Sequence, residues 1–177
     1  QFEILVQAMQ DKGYEHYEIS NFCLPNHESR HNSSYWQGKA YLGVGPSAHS
    51  FNGTSRQWNI ANNQAYMKAI KNGEHPSEIE TLSVANRFNE YLMTSLRTNW
   101  GCKITKIRND FGDSFVEHLL SNSQPFIQQG LMCKLEDATT TGNKQVLKLT
   151  NKGKFVADGI ISDLFLVAEE EIKAYLG

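Results

Sequence analysis

The feature that most constrains this chain is a single change in the period of its apolar residues, across Gly73-Glu74-His75-Pro76-Ser77. Before it, Tyr17 and Ile19 alternate with Glu18 and Ser20 inside Tyr14–Phe22, the period of two that a strand imposes. After it, Val84, Phe88, Leu92 and Leu96 recur every four residues, which predicts one helix face behind an N-cap at Ser83. The chain is therefore expected to divide near residue 76, into parts spanning 1–75 and 77–177. Its 177 residues suit one ordinary domain and a remainder.

The first part is expected to open with a helix bearing Leu5, Ala8 and Met9, capped at Gly13. A strand over Tyr14–Phe22 follows, then a long polar loop over Cys23–Gly38, then a short strand over Tyr41–Gly45 entering a glycine turn. Asn62 or Asn63 caps a helix ending at Lys71. The second part should hold a helix from Ser83 to Trp100-Gly101, short helices at Ile104–Phe111 and Phe115–Leu120, and a single turn at Pro125–Gln129. A hairpin of Leu131–Glu136 and Gln145–Thr150 turns through Thr140–Asn143. A final helix, Asn151–Val167, points Phe155, Val156, Ile160, Leu164 and Phe165 inward. The expected fold class is thus an α/β part followed by a mainly helical, winged-helix-like domain with one β-hairpin. Because Gln1 already stands inside an amphipathic pattern, the chain reads as the C-terminal part of something longer.

Charge and cysteines narrow the surroundings. A net charge of −2 gives no overall basic field for nucleic acid or anionic membrane. The longest apolar stretch, Ile160–Ala168, is broken by Ser162 and Asp163 and is too short to span a bilayer. Cys23, Cys102 and Cys133 are too far apart for a paired framework or a zinc motif, which fits a reducing, cytoplasmic compartment. His27 and His31 share an i, i+4 spacing, but no HExxH accompanies them.

Four clusters could carry chemistry. Glu18-Ile19-Ser20-Asn21-Phe22-Cys23 ends the expected strand; its polar groups either face a ligand at the strand tip or face solvent and cap a turn. His31-Asn32-Ser33-Ser34-Tyr35-Trp36 offers an imidazole and two large aromatics, suited to a planar ligand or to pinning a loop. Gly43-Val44-Gly45-Pro46-Ser47-Ala48 could bring backbone amides to a carboxylate or phosphate, but it lacks the third glycine of a nucleotide signature. Lys144, Lys148, Lys152 and Lys154 are locally basic, yet Glu136, Asp137 and Asp158 among them point to a solvated face rather than a DNA contact.

Five segments together resemble the oxygen-independent coproporphyrinogen III oxidase family of radical S-adenosylmethionine proteins. They are YEISNF at 17–22, ESRHNSSYW at 28–36, YLGVGPSAHS at 41–50, Leu96-Arg97-Thr98 with Gly101, and LTNKGKFVADGIISDLF at 149–165. The resemblance implies the last elements of a partial (β/α) radical-SAM barrel followed by the family's C-terminal domain. The family's CxxxCxxC motif for a [4Fe-4S] cluster is absent here, so this chain alone is expected to bind no cluster and to be inactive. Within the family, HNxxYW resembles the haem-chaperone branch. It implies a haem site of His31, Asn32, Tyr35 and Trp36, with His31 as candidate iron ligand, and an unidentified haem-receiving protein. Glu18, Ser20, Asn21, Phe22, Cys23, Gly43 and Gly45 are implied to lie beside S-adenosylmethionine. Cys23 departs from the family's usual alanine, a change that a backbone contact survives. The runner-up is the oxidase itself, decarboxylating coproporphyrinogen III to protoporphyrinogen IX; a winged-helix nucleic-acid binder is a remote third.

Overall fold

The computed structural model describes residues 1–136 and 145–167. The first helix, α1 (Phe2–Asp11), is closed by Gly13 at φ +78°, a conformation glycine adopts without steric cost. Val6 is its buried residue, whereas Leu5 and Ala8 of the expected inner face are exposed.

The segment 14–22 differs from the single strand its alternation predicts. It folds as two short antiparallel strands, β1 (Glu15–Glu18) and β2 (Asn21–Cys23), turning at Ile19-Ser20. The reversal has a local cause: the Glu18 carboxylate accepts from the Ser20 amide at 3.1 Å and from the Asn21 side-chain amide. These are the turn-forming side-chain bonds that polar residues offer in place of a continued ladder.

The expected loop over 23–38 also contains structure, namely helix α2 (Arg30–Trp36). Its start is set by Ser29, whose hydroxyl accepts from the Asn32 amide at 3.3 Å. With Ser33 its only buried residue, α2 lacks the apolar stripe by which helices are read from sequence.

A three-stranded antiparallel sheet comes next, formed by β3 (His49–Phe51), β4 (Ser55–Asn59) and β5 (Ser77–Thr81) in that spatial order. Asn52-Gly53 turns β3 into β4, with Gly53 at φ +99° and Asn52 Oδ1 accepting from the amides of Thr54 and Ser55. Helix α3 (Asn63–Lys71), capped by Asn62 as predicted, connects β4 to β5. The strand expected over Tyr41–Gly45 is reduced to one bridge between Tyr41 and Phe51.

The rest is α4 (Val84–Leu96), β6 (Cys102–Lys103), α5 (Ile104–Phe111), α6 (Asp113–Gln128), β7 (Met132–Glu136), β8 (Gln145–Leu149), α7 (Asn151–Lys154) and α8 (Ala157–Asp163). β8 lies between β6 and β7 in a second antiparallel sheet. Ser83 caps α4 as expected, but the helix stops at Leu96 and Val84 is exposed. The two pieces expected at 115–129 are one helix, since Pro125 lies within α6. Proline deprives the Ser121 carbonyl of its helical donor, and exposed Ser121 can turn that oxygen to water. The expected final helix is broken instead at Phe155-Val156, both of which are exposed. The turn Thr140–Asn143, Asp137 and Lys144 lie outside the described residues.

The core belongs to this second part. Phe88, Leu92 and Leu96 of α4 meet Ile107, Leu119, Leu147 and Leu164, all at 0% exposure. Gly153 lets α7 sit on this core: a Cβ there would lie 1.9 Å from the Leu131 carbonyl oxygen. Lys154, expected on a basic surface, instead turns inward and donates to His16 Nδ1 and to the His16 carbonyl, each at 3.2 Å. No described helix is long and apolar enough to cross a membrane.

Candidate functional site

The i, i+4 repeat of α2 places His31 and Tyr35 side by side, their rings edge to face at 4.9 Å. Tyr35 meets Tyr41 in the same geometry at 4.7 Å, and Tyr41 lies 6.1 Å from Phe51 on β3. An aromatic row therefore runs from the exposed end of α2 to the first sheet. Neither imidazole nitrogen of His31 has a hydrogen-bond partner among the described residues, and the ring is exposed.

Asn32 and Trp36 do different work. The Asn32 side chain donates to the hydroxyl of buried Tyr17 at 3.3 Å, fixing α2 to β1. Trp36 is half-buried, and its indole Nε1 has no partner among the described residues; neither does the hydroxyl of buried Ser33. A buried donor left without a partner costs free energy.

Beneath Tyr35 opens a cavity of about 580 Å³ between α2, the β3–β4 hairpin, α4 and α5. That size falls within the roughly 300–1,000 Å³ of small-molecule sites. Its walls include Tyr35, Tyr41, Phe51, Tyr91 and Phe111, with Arg87 among its charged groups. Burial pushes the Tyr91 phenol well above its ordinary range; its oxygen accepts from the Lys103 amide at 2.9 Å. This wall carries no signal in the sequence: Arg87, Tyr91 and Phe111 stand in none of the candidate clusters.

The residues implied beside S-adenosylmethionine form two groups. In the hairpin, Glu18 is 3% exposed and committed to Ser20 and Asn21, while Phe22 stacks on His16 at 4.4 Å. Ser20 and Asn21 are exposed at the tip. Cys23 is buried near Glu15 and Glu28; burial first, then these two carboxylates, pushes its thiol pKa up. In the glycine turn, Gly43 N donates to Ser50 Oγ at 3.0 Å and Gly45 N to the Tyr66 hydroxyl at 3.4 Å. Buried Asn59 donates to the Gly45 carbonyl at 2.9 Å. These amides are thus used inside the chain and not presented as an anion cradle. Asn59 carried no sequence signal beyond standing at the end of an overlooked strand.

Among the described residues, Cys23, Cys102 and Cys133 do not come together in one group of potential metal ligands. Cys102 is wholly buried, and burial pushes its thiol pKa up to about 12.

Residues 82–156 match the HemN C-terminal domain. It is 28% identical over 165 residues to Heme chaperone HemW of Lactococcus lactis, covering 93% of this chain and 41% of that protein. It is 26% identical over 160 residues to Heme chaperone HemW of Bacillus subtilis, covering 90% and 40%. The chain thus spans about two fifths of the length of these relatives. Among solved structures it resembles coproporphyrinogen III oxidase (HemN) from Escherichia coli, a radical SAM enzyme, with TM-score 0.65 and 17% identity over 93% of this chain and 40% of that one. That last likeness is one of fold.

Proposed function

We propose that this chain forms the haem-handling portion of a HemW-type haem chaperone and that α2 carries the contact with haem. The observation that supports it is the row His31–Tyr35–Tyr41, which joins an uncommitted imidazole to an aromatic cavity. His31 would ligate iron, which requires its neutral form. Tyr35 and Trp36 would supply apolar area at about 25 cal/mol per Å² removed from water. Asn32 would act as a positioning residue through Tyr17. The haem would then pass to a receiving protein.

The fold takes its place in the same reading. Residues 1–75 are proposed as the last elements of a radical-SAM barrel. Residues 77–177 are proposed as a winged-helix-like module, supported by the order α4, β6, α5, α6, β7, β8. The hairpin tip, with Ser20 and Asn21 exposed and Glu18 holding its shape, is proposed as the part nearest S-adenosylmethionine, and Gly43 and Gly45 are proposed to lie beside the same cofactor. When bound, that cofactor and its cluster would supply radical or redox chemistry from residues outside this chain.

Titration with haem, followed by absorbance, tests the reading. His31→Ala is expected to change the spectrum and lower affinity without abolishing binding, because stacking area survives the loss of a ligand. Trp36→Ala is expected to lower affinity with less change in the spectrum. Unchanged affinity and spectra in both variants would show that α2 is only a structural latch.

A further inference from the structure

We propose that Arg87 is a carboxylate anchor of the cavity under Tyr35 and that the cavity takes a porphyrin by its acidic edge. The proposal rests on the haem reading and adds to it a second point of recognition, remote from the iron.

The cavity's charges carry the inference. Its cations are Arg56, Arg87 and Lys106, and its anions are Glu90 and Asp110, which leaves one positive charge in excess. Arg56 is ion-paired with Glu90. Lys106 is 2.5 Å from Asp110 and lies over the Tyr91 ring at 5.4 Å from its centroid. Arg87 is half-buried, and its guanidinium has neither ion pair nor hydrogen bond among the described residues. Its place on α4 is one turn before Tyr91, so helical spacing puts it on the face that lines the cavity.

A half-buried guanidinium loses hydration and gains nothing in return until an anion meets it. Its planar fork matches a carboxylate through two parallel hydrogen bonds, a geometry that lysine cannot copy. Tyr35, Tyr41, Phe51, Tyr91 and Phe111 line the cavity among polar groups, so the fitting ligand has a flat apolar body with carboxylates at one edge, which is the chemistry of a porphyrin with its propionates. His49 lies in the same cavity, and its imidazole nitrogens have no hydrogen-bond partner among the described residues. Arg87 and the aromatic walls, however, suffice for the argument.

The test compares haem with haem dimethyl ester, which keeps the ring and iron but lacks free carboxylates. Both are titrated into the full chain as wild type, Arg87→Met and Arg87→Lys, with thermal melts to establish that each variant is folded. Wild type is expected to prefer haem over the ester by about tenfold, a typical value for one charge-assisted contact. Arg87→Met should lose that preference while binding the ester as wild type does, and Arg87→Lys should retain part of it. Tight haem binding with equal affinity for the ester, or haem affinity unchanged in Arg87→Met, overturns the anchor and leaves the haem reading intact. Failure of folded wild type to bind either ligand overturns both. If Arg87→Met melts early, Arg87→Lys decides alone, since retained charge without the fork should still weaken haem more than ester.

Discussion

The two parts of the molecule bury their side chains in opposite ways. Beyond residue 82, apolar residues from α4, α5, α6, β8 and α8 converge on one continuous core. Before it, the buried apolar residues are Val6, Tyr17 and Cys23, and buried polar groups such as His16, Glu18, Ser33 and Asn59 stand among them. The second part is held by area removed from water, and the first by specific hydrogen bonds and by its attachment to the second. That attachment is made through several polar and aromatic contacts, among them the Arg56–Glu90 ion pair and the Phe2–Phe155 ring contact. Thr98 bridges Glu18, the Asn99 amide donates to the Tyr17 carbonyl at 2.8 Å, and Lys154 reaches His16. A firm platform thus carries a lightly built polar region, which is where uncommitted imidazoles and aromatic edges can be afforded.

The strongest way to break the comparison is to truncate matched leucines. Leu92 is at 0% exposure and Leu5 at 47%. Leu92→Ala is expected to cost about 2–5 kcal/mol in denaturant unfolding, because lost burial and a residual cavity add. Leu5→Ala should stay within about 0.5 kcal/mol. Equal losses would mean that α1 has an inner face of its own and that the asymmetry is false.

How much of this was legible follows the same division. The α4 stripe, the Ser83 cap, α5 and the β7–β8 pairing were visible because core burial imposes a regular period on the sequence. Helix α2 was not, since its residues answer to Tyr17, the cavity and solvent, and only Ser33 is buried. The β1–β2 reversal was hidden because Glu18 reads as the polar half of a strand alternation, whereas it bonds its own turn. One miss had an available signal: Asn52-Gly53 is a strong hairpin dipeptide, and reading it would have given β3 and β4. The cluster His31, Asn32, Tyr35 and Trp36 stands out as a set in the sequence. Its division into an exposed pair and two inward residues needed coordinates.

A middle-sized effect should come from the joint between the parts. His16 Nε2 donates to the Ile19 carbonyl at 2.9 Å, which leaves Nδ1 to accept from Lys154. That arrangement requires neutral imidazole. Burial, the largest influence, lowers the His16 pKa, and the Lys154 charge lowers it further. A histidine whose folded pKa lies below its unfolded value of about 6.5 contributes stability that is intact above that pH. The contribution is lost as pH falls from there through the folded pKa. Melting temperature is therefore expected to drop as pH falls below about 6.5, and the slope should flatten in His16→Gln. An unchanged slope in that variant would place the acid sensitivity elsewhere.

The smallest effect is expected at a contact that looks strong on inspection. Arg97 is ion-paired with Asp158, linking α4 to α8. The Asp158 side chain is 81% exposed, so water screens the charge, and two mobile side chains must be ordered to make the pair. The same two elements are already joined by Leu96, Ile160 and Leu164 in the core. Asn89 adds a reciprocal bond pair with Leu166, accepting from its amide at 2.8 Å and donating to its carbonyl at 3.0 Å. Asp158→Asn is thus expected to lower unfolding free energy by less than about 1 kcal/mol. The loss should shrink in 1 M salt, where the screening length is about 3 Å. A salt-independent loss above about 2 kcal/mol would mean that charge, and not apolar burial, holds the firm half together.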